Sequence, residues 1–174
     1  MKVAAELCAA LKPASARLVV AGSLRRNKPD VGDVEILYIG KLATRPGDLF
    51  STIEANLADE VIAALEKAGV LERRKNVNGS EMYGPKNKLM RHRATGLPVD
   101  FFAATAENWH NYLVCRTGSV DSNTRICMAA QERGWKWNPY GAGFSRGGEI
   151  RAMASEAEVF AFVGLPYEQP EARR

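Results

Sequence analysis

The sequence predicts an α+β chain: a mixed β-sheet with helices on one side over residues 1–104, then a small α+β unit over 105–174. Two observations carry this. Strand-like runs bracket one long helical stripe and then follow closely on one another, an order βαβ then ββ that yields a mixed sheet. After Ala104 the pattern changes to helical stretches around a glycine-rich, aromatic segment. Composition permits both parts. Of 174 residues, 46% are hydrophobic and 25% charged, ordinary globular values and enough for two small cores.

Lys2–Leu11 places Val3, Leu7 and Leu11 on one helical stripe, which Pro13 ends. Arg17–Ala21 is a short β-branched strand entering Gly22, and Ser23 is placed to cap a short helix. Asp33–Ile39 reads as a second strand, and Gly40–Asp48 as a polar loop with Pro46-Gly47. Ser51–Ala68 reads as a helix. Ser51 and Glu54 form a capping box, Ile53, Leu57, Val61 and Leu65 make the stripe, and Gly69 stops it. Val70–Val77, Ser80–Tyr83, Lys86–Arg93 and Leu97–Ala103 read as strands, separated by turns at Asn78-Gly79, Gly84-Pro85 and Thr95-Gly96. Beyond them come helices over Glu107–Val114 and Ser119–Arg133, two or three strands over Lys136–Arg151, and a helix over Ser155–Val163. Trp135, Trp137, Tyr140 and Phe144 read as the core of that small sheet rather than as a stacking surface for bases. The tail from Glu171 is expected to fray.

The net charge of +4 and a pI near 9.0 suit a nucleic-acid partner. Distribution says more. Arg73, Arg74, Lys75, Lys86, Lys88, Arg91 and Arg93 face only Glu72 and Glu81 in that stretch, a composition suited to phosphate contacts. Three widely spaced cysteines, Cys8, Cys115 and Cys127, and two histidines, His92 and His110, make no zinc pattern. With no leader-like start and no apolar run of membrane-spanning length, the expectation is a reduced intracellular protein, cytoplasmic and away from membranes.

The chemistry concentrates in Gly22-Ser23-Leu24-Arg25-Arg26 and Gly32-Asp33-Val34-Glu35-Ile36-Leu37. On a strand Asp33 and Glu35 share a face, and Val34 and Ile36 point the other way. Two acids side by side repel, so something cationic must compensate, and a divalent metal is the simplest candidate. Mg²⁺ prefers carboxylate oxygens and is commonly completed by substrate phosphates. A glycine turn with a hydroxyl and arginines suits those phosphates. Asp100, a lone acid in Leu97-Pro98-Val99-Asp100-Phe101-Phe102, is the candidate third carboxylate. Removing one of three mutually repelling acids would then relieve strain.

These residues resemble the nucleotidyltransferase signature of the DNA polymerase β-like (family X) polymerases. The resemblance extends over Thr117-Gly118-Ser119 to Asn123, Glu132-Arg133-Gly134, Asn138-Pro139-Tyr140 and Gly164-Leu165-Pro166-Tyr167-Glu168-Gln169-Pro170-Glu171. It implies a nucleotidyltransferase palm over 1–104 and a thumb subdomain over 105–174, similar to the reduced palm-plus-thumb polymerases of some viruses. It implies that Asp33, Glu35 and Asp100 are catalytic and bind two Mg²⁺ ions, with Mn²⁺ able to substitute. Gly22, Ser23, Arg26, Gly32, Thr117, Gly118 and Asn123 would bind the nucleotide. Arg125, with Lys86, Lys88, Arg91 and Arg93, would bind DNA. The implied reaction adds deoxynucleoside monophosphates to a DNA 3′-hydroxyl, as in gap filling during repair. Its partners would be primed or gapped DNA, deoxynucleoside triphosphates and a DNA ligase in the same pathway, and the protein would act as a monomer. Two other readings stay open: transfer to RNA or another non-DNA acceptor, and a basic DNA-binding module whose site has lapsed. The chain departs from the family in having Glu35 for the usual Asp, Cys115-Arg116 where aromatic residues precede Thr-Gly, and no arginine at Cys127.

Overall fold

The computed structural model describes residues 2–46 and 51–173. Its helices are α1 (Lys2–Leu11), α2 (Gly22–Arg25), α3 (Leu57–Lys67), α4 (Trp109–Thr117), α5 (Val120–Glu132) and α6 (Glu156–Phe162). Its strands are β1 (Ser15–Val20), β2 (Val34–Gly40), β3 (Leu42–Pro46), β4 (Thr52–Asn56), β5 (Leu71–Arg73), β6 (Asn87–His92), β7 (Pro98–Ala103), β8 (Lys136–Trp137), β9 (Gly143–Arg146) and β10 (Glu149–Ala152). The chain divides into two compact units, Met1–Val20 with Gly32–Ala103, and Ala21–Val31 with Ala104–Arg174. Among the described residues no helix is long and apolar enough to cross a membrane.

The first unit is a mixed five-stranded sheet in the order β1-β2-β7-β6-β5. Only β2 and β7 pair in parallel; the other neighbours are antiparallel. Partnered residues project to the same face, so the registers Ile36↔Phe101 and Met90↔Val99 stack buried apolar side chains together. Helices α1 and α3 pack on each other and on the sheet through Leu7, Leu11 and Ile62, all fully buried.

One stretch departs from the sequence reading. Leu42–Pro46 and Thr52–Asn56 pair as a two-stranded antiparallel ribbon, from Leu42↔Asn56 to Pro46↔Thr52. The helix starts at Leu57, not Ser51. Asn56 is the working N-cap, its side-chain oxygen accepting from the backbone N–H of Ala58 (3.1 Å) and Asp59 (3.2 Å). The Ser51/Glu54 box imitated a cap that the β-branched Thr52-Ile53 pair overrode in favour of a strand. Gly47 and Asp48 of the expected loop lie outside the described residues. The expected strand at Ser80–Tyr83 is reduced to the bridges Lys75↔Glu81 and Tyr83↔Lys88. There the Asn76 side chain accepts from Asn78 and Ser80 N–H groups, and the chain turns instead of extending.

The second unit sets α2, α4, α5 and α6 with the antiparallel sheet β10-β9-β8. Ser119 caps α5 and Ser155 caps α6, each hydroxyl accepting from the N–H three residues on. Glu158 accepts from the Ala154 N–H at 2.6 Å and reinforces the second cap. The core packs Ile126, Trp137, Phe144, Val159 and Phe160. Phe144 stacks on Phe162, and Trp137 donates its indole N–H to the buried Asn111 Oδ1 at 2.6 Å. Trp135, Trp137 and Phe144 are thus core residues, while Tyr140 is exposed.

Candidate functional site

The three acids belong to the first unit. The parallel register pairs Glu35 of β2 directly with Asp100 of β7. Both therefore project from one face, opposite Ile36 and Phe101. Asp33 lies immediately ahead of β2, two residues before Glu35. Carboxylate oxygens are the donor class that Mg²⁺ and Mn²⁺ take, so the residue chemistry fits such an ion. The side chains are not drawn together as a cage, however. Among the described residues no group of three or more His, Cys, Asp or Glu is gathered so as to hold a metal.

Asp100 has an internal cation instead. Arg74 Nη2 donates to its Oδ1 at 2.5 Å, with 20% of the arginine side chain and 12% of the aspartate side chain exposed. Arg74 follows β5 directly, and its N–H bonds the Leu89 carbonyl at 3.1 Å. Leu89 in turn is the register partner of Asp100. Alternation separates the Arg73-Arg74 pair. Arg73 turns to Glu66 of α3 at 2.7 Å, and Arg74 turns to the acid face. Repulsion among the acids is thus already compensated at Asp100, which the sequence reading assigned to metal alone. The doubled arginine was the available signal, and it was read only as part of a basic stretch.

The glycine turn belongs to the second unit. Gly22 has φ 61°, a backbone conformation that side chains disfavour. It opens α2, from which two arginines diverge. Arg26 donates to the Thr117 carbonyl. A Cβ at Gly118, itself at φ 64°, would sit 3.1 Å from Arg26 Nη1, so glycine there lets the guanidinium in. Arg25 grips Glu156 through both carboxylate oxygens (2.5 and 2.9 Å) and also donates to Thr117 Oγ1 at 2.6 Å. The fully buried Arg173 brings Nη2 within 2.9 Å of Glu156 Oε2, a charge contact outside hydrogen-bond alignment. It also donates through Nε to the Glu168 carbonyl at 3.0 Å. Burial pushes the Glu156 carboxyl up, but the hydrogen bonds of Arg25 and the charges of Arg25 and Arg173 outweigh it and hold the group below the ordinary carboxylate range. The expected fraying of the tail therefore does not extend to Arg173.

Three of the nucleotide-binding candidates carry unmet hydrogen-bonding capacity. Ser23 Oγ, Arg26 Nε and Asn123 Oδ1 are buried with no hydrogen-bond partner. The Asn123 amide donates to the Cys115 carbonyl at 2.9 Å. Asn123 also lines an open pocket of about 320 Å³ with Cys115, Cys127, Trp137 and Tyr140. Arg116 lies 5.4 Å from the ring centroids of both Tyr112 and Tyr140. Gly32 stands apart in the first unit, exposed, with open space where a Cβ would be.

Residues 112–174 match the family described as DNA polymerase beta thumb. A curated relative, the DNA polymerase/3'-5' exonuclease PolX of Bacillus subtilis (strain 168), is 40% identical over 75 residues. The fold matches the polymerase beta of Leishmania infantum, solved as a ternary P/T complex, with a TM-score of 0.69. The chain thus has a polymerase beta-like fold and matches the thumb family over residues 112–174. The structural match covers 99% of this chain and 73% of the Leishmania chain at 21% identity, and is a likeness of fold. The aligned segment of the Bacillus relative takes in 43% of this chain but only 13% of that protein's length.

The basic candidates of the first unit do not share one face of the sheet. Lys88 is a correction. Its register partner is Phe101 on the core face, so it is buried, 3% exposed, where phosphate does not reach. Its Nζ lies 2.9 Å from Asp59 Oδ1 and donates to the Gly84 carbonyl at 3.0 Å, and Tyr38 donates to the same Asp59 oxygen at 2.5 Å. Lys86 is exposed at the entry to β6. Arg91 and Arg93, both exposed, fall on the opposite face from Lys88 and share Glu72, at 3.9 and 3.2 Å. Arg125 on α5 is exposed and bonds both Glu168 oxygens at 2.7 Å.

Proposed function

We propose that this chain is a metal-dependent nucleotidyltransferase that adds deoxynucleoside monophosphates to a DNA 3′-hydroxyl. The pairing of Glu35 with Asp100 across β2 and β7, with Asp33 just ahead, is the observation that carries the proposal. These three residues would hold Mg²⁺ or Mn²⁺. When bound, such an ion lowers the pKa of an attacking hydroxyl and offsets the charge of a triphosphate. In the second unit, Gly22 lets phosphate approach the backbone, and Ser23 and Arg26 donate to it. Thr117 and Gly118 flank the sugar, and Asn123 meets the base. The buried and unpartnered Ser23 Oγ, Arg26 Nε and Asn123 Oδ1 support this assignment, because a polar ligand would satisfy atoms the protein leaves unmet. Gly32 adds a backbone contact to phosphate.

The acceptor is primed or gapped DNA, and the setting is gap filling in repair, followed by a ligase. The thumb match and the named activities of the relatives support DNA as acceptor. Lys86, Arg91, Arg93 and Arg125 are the DNA-backbone contacts retained from the basic set.

Primer extension on gapped DNA tests the proposal, with and without Mg²⁺, using DNA and RNA primers in parallel. Metal-dependent incorporation on the DNA primer is expected, and Asp100→Ala should abolish it. Preference for the RNA primer would move the chain to the RNA-acceptor reading. DNA binding without incorporation in the presence of Mg²⁺ would make it a basic binding module.

A further inference from the structure

We propose that Arg74 is the resident counter-ion of the acid face, and that a divalent cation must compete with it for Asp100. The inference rests on the metal reading of Asp33, Glu35 and Asp100. The 2.5 Å bond joins two charges that are largely shielded from water. At such a site a guanidinium disfavours a second cation on the same carboxylate, because the low effective dielectric leaves their repulsion little screened.

Arg74 is also held in a way that permits exchange. Its other contact through Nη1 is a long one, 3.5 Å to the Lys75 carbonyl, and its Nε is buried without a partner. Arg73 next to it is held differently. It bonds both Glu66 oxygens and lies 4.0 Å from the Tyr83 ring centroid. One of two adjacent arginines is thus fixed by several contacts, and the other is committed mainly to one carboxylate. Arg74 also begins the irregular segment that turns at Asn76–Ser80 and is tied by the Lys75↔Glu81 bridge. A cation that takes Asp100 from Arg74 therefore acts on the root of this segment. By linkage, whatever holds Arg74 away from Asp100 raises cation affinity by the same factor.

The test is Mn²⁺ binding to the full chain, read as loss of the free-ion paramagnetic resonance signal, with no DNA or nucleotide present. Arg74→Gln should tighten Mn²⁺ binding roughly tenfold, the scale of one neighbouring charge acting on a carboxylate. Arg74→Lys, which keeps the charge, should return it close to the wild-type value. A merely structural arginine would not give tighter binding on removal. Unchanged or weaker Mn²⁺ binding in Arg74→Gln overturns the inference. Asp100→Asn separates the two readings. If it weakens Mn²⁺ binding while Arg74→Gln fails to tighten it, the counter-ion role alone falls. If it leaves Mn²⁺ binding unaltered, the metal reading falls and takes the inference with it. On the unaltered chain, which avoids any loss of fold, saturating Mg²⁺ should shift the Arg74 Nε–H resonance. A resonance that stays in place also overturns the inference.

Discussion

At the scale of single residues, charge pairing inside each unit decides what substitutions cost. Asp100→Ala leaves Arg74 largely shielded without its carboxylate. We expect a loss of about 2–3 kcal/mol in chemical denaturation, by the cost of breaking one side of a shielded pair. A gain in stability would restore the picture of acids that only repel. Glu156 sets a pH dependence. Its folded pKa is depressed, so its contribution is complete above the unfolded value, about 4.3, and is lost as pH falls through the folded value. Urea midpoints should therefore decline below about pH 4.3, and Glu156→Gln should flatten that decline; equal slopes for both proteins would exclude the role. The strand positions of Glu35 and Asp100 were legible in the sequence, from alternation and from a lone charge among apolar neighbours, whereas Asp33 falls just ahead of β2. The arginine pairings were not legible. Arg74 is 26 residues from Asp100 and Arg25 is 131 from Glu156, and no local pattern encodes such distances.

At the scale of elements, strand alternation sorts the basic residues. Lys88 is exchanged into the core face by the same period of two that exposes Arg91. Lys88→Ala should lower stability by about 3 kcal/mol, since it strips the cation from Asp59 and Tyr38, yet leave the salt dependence of DNA binding unchanged. Neutralising Lys86, Arg91, Arg93 or Arg125 should instead flatten the log–log salt slope by roughly one unit each. A flatter slope for Lys88→Ala would return it to the DNA surface. Element identity was largely readable. The strands around the acids, the two Ser-capped helices and the glycine-rich sheet all follow from periodicity and caps. The ribbon of β3 and β4 was not, because Ser51 and Glu54 satisfy a capping pattern while Asn56 makes the cap. The charges of β6 were misread for a related reason. Composition counts lysines and arginines alike, whereas register against Phe101 decides which are inside.

At the scale of the whole molecule, the second unit is not a continuous stretch of chain. It draws Ala21–Val31 from within the first. A fragment of residues 104–174 lacks Arg25, so Glu156 keeps only Arg173 and Thr117 loses a donor. We expect that fragment to melt without the cooperativity of the intact chain, followed by circular dichroism; a sharp transition at the same temperature would count against this. The sequence changes pattern near residue 104, and the structure divides there between Ala103 and Ala104. The membership of Ala21–Val31 in the second unit has no counterpart in the sequence, because local sequence carries no mark of a partner that far along the chain. The arrangement also has a consequence in time. As the polypeptide emerges during synthesis, the glycine turn appears early, while the threonine and carboxylate it will grip come more than 90 residues later. The five-stranded sheet of the first unit has all its strands by Ala103 and can settle first. The turn must then wait, as a hook left open, until the last third of the chain arrives to close on it.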